Sequence, residues 1–343
     1  MTPHAPTLDG LATTARTPLE RLQHLLHRYP LISPLAVLFL SCIAFTILGD
    51  GRFEEPRTIG IIFQQTAVMA TLAIGQTIII LTAGIDLAVG TAMLFTHLVV
   101  AKLAAENGVP GILALLIGLL AGLAIGGIHG LIVTKVGLPP FIVTLGTFFV
   151  WQSAGLLYSR AQTISKEALG GEDSFLLWTG KGISIGDFKI TTGVLLALLL
   201  YAIFAYVLGN TAWGRHVYAT GDDPEAARLA GIDTTRVLLS VYIVAGLIYA
   251  VGGWVQLGRS LSASANAAAD VNLDTITAVV IGGTSLFGGR GRLMGTLIGA
   301  LIVSVFSVGL SVAGVNTNYK NLAIGTLIVV AVALDQWIRR VGK

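Results

Sequence analysis

Apolar residues occur along this chain in long runs, separated by short polar stretches that are rich in glycine, proline or charge. A transmembrane helix needs roughly 20 mostly apolar residues to cross about 30 Å of hydrocarbon, and about ten runs approach that length. The eighth run is short, so we expect it to be broken or tilted. The predicted spans are 31–48, 59–82, 87–104, 111–134, 140–158, 191–209, 237–258, 274–287, 293–315 and 321–338.

The composition agrees with a chain whose surroundings are mostly lipid. Of the 343 residues, 54% are hydrophobic and 11% are charged, whereas an ordinary soluble domain carries roughly 25% charged residues. The alternative is a large soluble protein with an unusually apolar core. We interpret the chain as an all-α integral membrane protein of about ten transmembrane helices with a short cytoplasmic coupling helix.

The polar segments between the runs predict the topology. Residues 1–30 lack the early apolar stretch of a cleaved signal peptide, so we expect a cytoplasmic tail before a transmembrane domain over 31–343. An even number of spans puts both termini on one side, and placing them inside puts most lysines and arginines in the cytoplasm. On this topology the loop 159–190 faces outside and the loop 210–236 faces inside.

The inner loop contains a short predicted helix. Asp223 suits the N-cap, Pro224 the first helical position, Glu225 the positive helix start and Gly231 the left-handed C-terminal position. A helix of about two turns is not stable alone in water, so it is either a surface helix on its own bundle or a docking helix for a soluble partner. The predicted coupling residues are Gly221, Asp222, Asp223, Pro224, Glu225, Ala226, Ala227, Arg228 and Gly231.

These residues carry a family resemblance. Glu225-Ala226-Ala227 followed by Gly231 resembles the E-A-A-x-x-x-G element that ABC importer permeases present to their ATPase subunits. The I-x-L-P continuation is missing, which points away from the maltose-type branch. The chain is similar instead to the ribose and fructose branch of carbohydrate-uptake permeases, and Asp222–Glu225 and Ala333–Arg339 resemble fructose-type members. The further matching segments are Gly75-Gln76-Thr77, Leu81–Gly90, Trp213-Gly214-Arg215 and Ala278–Gly291.

The resemblance implies the transmembrane permease subunit of an ATP-driven monosaccharide importer in the bacterial inner membrane. It implies ABC ATPase subunits, an extracytoplasmic sugar-binding protein and a second permease copy or related chain as partners, beside membrane lipid. It does not name the sugar.

Some motifs are missing from the sequence. There is no G-x-x-x-x-G-K-[ST] phosphate-binding loop, so we expect a transporter subunit rather than an enzyme, with ATP hydrolysed by a separate subunit. We identify no catalytic residue, no zinc spacing and no cofactor. The basic residues are scattered between loops, which gives no nucleic-acid footprint.

Two glycine-bracketed turns share the pattern G-x-[DS]-L-x-x-G, which arises either from internal duplication or from chance. We interpret Asp86 as a helix cap at the inner turn between spans two and three, over the alternative of a proton relay. The structural turn residues are Gly84, Asp86, Gly90, Gly283, Gly288 and Gly289.

A sugar pathway needs amides, hydroxyls and aromatic rings inside the bundle. Each such residue in a span has the alternative of bonding a neighbouring helix. The candidate pathway residues are Gln64, Gln65, Gln76, Thr144, Trp151, Gln152, Trp254 and Gln256.

Two other classes of function compete with this interpretation. A secondary transporter would use Asp86 as its coupling group, but it leaves the capped inner helix unexplained. An intramembrane enzyme would need paired catalytic residues, and His97 and His129 have no obvious carboxylate partner in the sequence.

Overall fold

The computed structural model describes residues 31–171, 174–267 and 271–316, together with residues 319, 322, 325, 326 and 329. The predicted tail 1–30 and nearly all of the tenth predicted span, 321–338, lie outside the described residues. The α-helices are α1 (Ile32–Leu48), α2 (Pro56–Leu81), α3 (Val89–Ala105), α4 (Gly111–Leu131), α5 (Pro140–Ser159), α6 (Thr192–Asn210), α7 (Ala212–Asp222), α8 (Pro224–Leu229), α9 (Thr234–Ser260), α10 (Val271–Ile281) and α11 (Leu293–Val312).

Six helices in the described part of the chain are long and apolar enough to cross a membrane. They are α2, α4 with its continuation to Val136, α5, α6, α9 and α11. Three shorter apolar helices, α1, α3 and α10, coincide with the first, third and eighth predicted spans. The structure therefore has the helical membrane architecture that the sequence predicts, while the total of ten spans is not confirmed.

The eighth predicted span, 274–287, is placed wrongly at its C-terminal end. Helix α10 ends at Ile281, and Gly283 adopts a left-handed conformation at φ +85°. Gly282 lies close against the backbone of Gly295, where any side chain would clash. The apolar residues that follow belong to a turn, because hydropathy alone does not register these backbone constraints.

The description all-α also needs a correction. Gly182–Ile185 and Phe188–Thr191 form an antiparallel hairpin, β1 and β2, within the loop predicted to face outside. Gly186 takes φ +61° between the strands, a conformation that glycine adopts without steric cost. A 3₁₀ helix, Phe175–Gly180, precedes the hairpin.

Helices α2 and α9 form the centre of the bundle. Helix α9 packs closely against α4, where glycines face its backbone: a Cβ atom on Gly126 would lie 2.1 Å from the Tyr242 carbonyl oxygen. Gly122 and Gly246 meet in the same way. The glycine-rich fourth span therefore permits close helix packing, as predicted from its sequence.

The structure sorts the predicted loops onto two ends. At one end, which we call the α8 end, the turn after α2 contacts both the end of α7, just before α8, and the turn after α10. At the other, the hairpin end, Lys189 contacts Gly60, and Ile164 pairs with Ala263. Loops predicted to share a side thus meet, whereas the absolute orientation stays a prediction.

We expect labelling of single cysteines to give that orientation. In a Cys42→Ala background, Ser184→Cys in the hairpin should react with a membrane-impermeant maleimide on intact cells, because it is exposed at the end predicted to face outside. Leu229→Cys, in permease expressed alone, should react only after the cells are permeabilised. The reverse pattern would contradict the predicted orientation.

Candidate functional site

Helix α8 is a short capped helix that exposes most of its residues. Asp223 Oδ1 accepts hydrogen bonds from the backbone N–H groups of Glu225 and Ala226, at 2.9 and 3.0 Å. Pro224 occupies the first position, and Gly231 lies beyond the C-terminus at φ +85°. These three features confirm the predicted caps.

Only one side of α8 is attached to the protein. Ala227 is buried, whereas Glu225, Ala226 and Arg228 are exposed and Leu229 is 86% exposed. Leu229 follows Arg228, so an exposed apolar side chain lies beside an exposed charged one at the α8 end.

The residues before α8 are in backbone contact with two other turns, at a site that we call the turn junction (residues 81–84, 221–222 and 288–289). The Gly289 N–H donates to the Leu81 carbonyl oxygen at 3.0 Å. A Cβ atom on Gly221 would lie 1.8 Å from that same oxygen, and one on Gly289 would lie 2.7 Å from Asp222 Cα. The predicted coupling segment is therefore packed against both predicted glycine turns.

The turns after α2 and α10 have the same geometry. The residues that correspond in the structure, however, are not the ones that the shared sequence pattern aligns. The N–H groups of Gly84 and Thr284 each donate to the carbonyl five residues earlier, which ends α2 and α10 in the same manner. The left-handed residue is Ala83 at φ +60° in one turn and Gly283 in the other. Ala83, not Gly84, is thus the counterpart of Gly283.

The turn after α10 is tied to α7. The Tyr218 hydroxyl donates to the Gly291 carbonyl oxygen at 2.9 Å. Burial raises the pKa of Tyr218, although nearby Arg292 opposes this shift, and the phenol accordingly remains a proton donor. Within the turn the Ser285 N–H donates to the Arg290 carbonyl, and Phe287 projects outward, 79% exposed.

After the turn that ends α2, the chain runs into the interior before α3 begins. We call residues 82–90 the buried segment. Gly90 N–H donates to Asn272 Oδ1, in the first turn of α10. Because α10 runs from Val271 to Ile281, Asn272 lies nine residues, or about 14 Å at about 1.5 Å per residue, from the α10 terminus that leads to the turn junction.

Asp86 lies inside the bundle, which corrects its interpretation as a helix cap at a boundary. It is 1% exposed, its Oδ2 accepts from the Tyr249 hydroxyl at 3.2 Å, and its Oδ1 accepts from the Ala88 N–H at 2.7 Å. Ala88 itself is the N-cap of α3, without a side-chain hydrogen bond. The carboxylate therefore organises the buried segment and fixes it to α9.

A third helix holds the same segment. The Thr144 hydroxyl, in the first turns of α5, accepts from the Leu87 N–H at 3.1 Å, and its proton lies within bonding distance of both the Ile85 carbonyl oxygen, at 3.1 Å, and the Pro140 carbonyl oxygen of its own helix, at 3.0 Å. Sequence reasoning placed Thr144 in a sugar pathway and missed Tyr249 and Asn272. Tyr249 offered a signal, as a phenol within the predicted span 237–258, whereas Asn272 lies just before the eighth predicted span and offered none.

The other candidate pathway residues are divided between several places. Gln64 lines an open cavity of about 440 Å³ at the hairpin end, with Arg57 and Lys189. The Trp254 indole N–H donates to the Leu176 carbonyl oxygen and the ring stacks on Trp178, also near the hairpin end. Gln65 is half-buried in α2, and Gln256 is buried in α9. Gln76 is fully buried, and its amide has no hydrogen-bond partner among the described residues.

Trp151 and Gln152 lie half-buried on α5. The Trp151 indole N–H donates to His129 Nε2 at 3.1 Å, and its ring centroid lies 5.4 Å from that of Phe95. His97, the other histidine that the sequence singled out, bonds the Gly253 carbonyl oxygen at 3.0 Å. Both histidines thus have partners that hold helices together.

Residues 58–332 match the family model described as branched-chain amino acid transport system / permease component. The chain is 47% identical to the fructose import permease protein of Rhizobium meliloti, over 95% of this chain and 91% of that relative. It is 38% identical to the ribose import permease protein of Bacillus subtilis strain 168, over 89% and 92%. It is 33% identical to the galactose/methyl galactoside import permease protein of Escherichia coli K12, over 87% and 92%. No solved structure matches the chain.

The close backbone contact at the turn junction predicts that one added methyl group at Gly221 lowers the stability of the protein considerably. Gly221→Ala should lower the thermal stability of the detergent-solubilised protein, because its Cβ would overlap the Leu81 carbonyl, and overpacking costs typically about 1–3 kcal/mol. Gly209→Ala, in a helix and with no atom within 4 Å of its added Cβ, is the matched control. Equal melting temperatures for the two variants would contradict this packing.

Proposed function

The chain belongs to the branched-chain amino acid transport system / permease component family, and from that premise we propose that it imports a monosaccharide of the fructose or ribose type. It is the membrane-spanning permease subunit of an ATP-driven importer and not an enzyme. Relatives named as fructose and ribose import permeases cover nearly its whole length, which supports the proposed substrate class. The bacterial inner membrane is its location, with both termini in the cytoplasm.

One observation carries the coupling role, namely the combination of exposure and attachment in α8. A helix of six residues is too short to persist by itself in water, yet caps hold both its ends. Its outward face presents Leu229 and the charged side chains of Glu225 and Arg228. We assign this face to the ATPase subunit, because the attached side leads directly into the turn junction.

The mechanism follows from this attachment. ATP binding closes the pair of ATPase subunits and moves the docked α8. Gly221 and Asp222 contact the turns after α2 and α10 without intervening side chains. A displacement of these two residues therefore displaces both turns as well. The membrane helices then switch the pathway between outward and inward access, and an extracytoplasmic sugar-binding protein delivers the sugar and confers most of the selectivity.

A second permease copy completes the pathway, and α5 is the helix that faces it. Helix α5 has the smallest buried share of the six long helices, at 17%. Its mean hydropathy is lower than that of α4 or α6, although its exposed face also carries apolar residues such as Phe149, Val150 and Leu157. Ser153 is exposed and Thr147 and Gln152 half-exposed on α5, and such side chains suit protein or a water-filled path better than lipid.

The same face provides sugar-binding chemistry. Trp151 and Phe95 present half-buried rings close together, and Gln152 follows on α5. Apolar ring faces and amides are the groups that bind sugars through stacking and hydrogen bonds. We therefore place the pathway along α5, between the two copies.

Removing the cap of α8 should weaken ATPase association. Asp223→Ala leaves the N–H groups of Glu225 and Ala226 without their acceptor, at a cost of typically about 1 kcal/mol. Asp223→Asn keeps a good N-cap and is the matched control. We expect the alanine variant to lose co-purifying ATPase subunit and sugar uptake together, while the asparagine variant keeps both and the binding protein still binds its sugar.

Two further substitutions test the same helix. Glu225→Arg puts a cation at the positive helix start, unfavourable by about 0.3–1 kcal/mol, and Gly231→Val puts a β-branched residue at a left-handed position, at about 1–2 kcal/mol. Both should reduce association and uptake without loss of membrane insertion. If all three variants kept full association, α8 would be an ordinary surface helix and the coupling role would be refuted.

Cysteine cross-linking tests the second copy. In the Cys42→Ala background, Gly146→Cys and Ser153→Cys lie seven residues apart on one side of α5, both exposed. Because a twofold interface brings equivalent surfaces together, at least one should form a permease dimer with a short bifunctional linker in membranes. Leu195→Cys and Leu199→Cys on α6, 55% and 56% exposed in the wild type, are the lipid-facing controls. Dimers from the α6 positions alone would refute the assignment of α5.

A further inference from the structure

Resting on the proposed function, we infer that the buried segment 82–90 transmits movement of the docking helix to α5, α9 and α10. In this inference Thr144, Tyr249 and Asn272 are positioning residues for transport. None of them touches the ATPase surface, because all three lie within the bundle. They act through the segment that they hold.

The first step is the contact of this segment with the turn junction. Its N-terminal neighbour Leu81 accepts the Gly289 N–H and lies against Gly221. Ala83, within the segment, lies 2.9 Å from the position of a Cβ atom on Gly288. Any displacement of Gly221 that follows α8 therefore meets the start of this segment directly.

The second step is the set of bonds farther along the segment. Thr144 of α5 bonds residues 85 and 87, Tyr249 of α9 bonds Asp86, and Asn272 of α10 bonds Gly90. Three helices that are separate in sequence thus depend on one stretch of nine residues. Between them they account for side-chain contacts at four positions of the segment.

The third step concerns why this segment moves as a unit. It is not helical over residues 82–88, so it has no continuous ladder of backbone hydrogen bonds and takes its order from the surrounding side chains. Buried polar groups are expensive to leave unpaired. A shift at Leu81 must therefore either carry the three helices along or break their hydrogen bonds, and the first alternative preserves the bonding.

The inference gives Thr144 a measurable role. Thr144→Val keeps the shape but removes the hydroxyl, so the complete transporter should retain basal ATP hydrolysis and import less sugar. In proteoliposomes containing the ATPase subunits and the binding protein, with radiolabelled fructose or ribose as probe, sugar imported per ATP hydrolysed should fall by about fivefold, as expected for one lost hydrogen bond. Thr144→Ser, which restores the hydroxyl, should return the ratio to the wild-type value.

A second variant and two controls separate transmission from simple stability. Tyr249→Phe removes the Asp86 bond and should lower the same ratio. Thr71→Val, on α2, removes a buried hydroxyl that bonds only its own helix, at Ala67. Tyr201→Phe removes a buried hydroxyl with no hydrogen-bond partner among the described residues. Both controls should keep the wild-type ratio.

Two outcomes would overturn the inference. One is an unchanged ratio of sugar to ATP in Thr144→Val and Tyr249→Phe. The other is a proportional fall of uptake and ATP hydrolysis with a lower melting temperature, which marks a structural role alone. Either result leaves the proposed function intact if the wild-type complex transports sugar and Asp223→Ala loses the ATPase subunit, so the two failures are distinguishable.

Discussion

Backbone polar groups inside a membrane protein need partners within the protein, and the path of the chain between α2 and α3 depends on this constraint. Residues 82–88 leave helical geometry while they enter the bundle. Non-helical backbone is tolerated at such a place only where it is buried in protein or lines a cavity. Thr144, Asn272 and the Asp86 carboxylate meet this need by bonding backbone groups of the segment. These polar side chains therefore allow the backbone to leave helical geometry inside the bundle.

At the turn junction the backbones are in direct contact, because glycines leave no side chains between them. At Gly221 and Gly289 the backbones approach so closely that a Cβ atom has no room. Close backbone packing is stiff, because no flexible side chain lies between the surfaces. A helix as short as α8 has little stability of its own. It is nevertheless held firmly, because Gly221 and Asp222, just before it, are packed in the turn junction. An exposed helix that is attached through a rigid junction is suited to transmit movement from one protein to another.

Much of this could be predicted from the chain itself, and the limits have physical reasons. Asp223, Pro224 and Gly231 have roles set by neighbours in sequence, and all three occupy the predicted positions. Apolar runs likewise predicted the helices, since hydropathy is local. The bonds of Asp86 to Tyr249 and of Asn272 to Gly90 join residues 163 and 182 positions apart, and no local pattern carries that information. The hairpin was not predicted, because each of its two strands has only four residues and the bonds that pair them do not show in the sequence.

Helix α5 joins the buried segment to the surface on which we propose the sugar pathway. Its first turns hold the buried segment through Thr144, while its middle carries the Trp151 ring and the half-exposed Gln152. It packs mainly on α3, and most of its remaining surface has no protein partner in the described chain. Within its own chain α5 is 17% buried, whereas α2 is 72% buried, so α5 is the long helix least restrained by its own bundle. In the mechanism that we propose, movement of the segment therefore meets the least resistance within the chain at α5, the helix that we place beside the sugar.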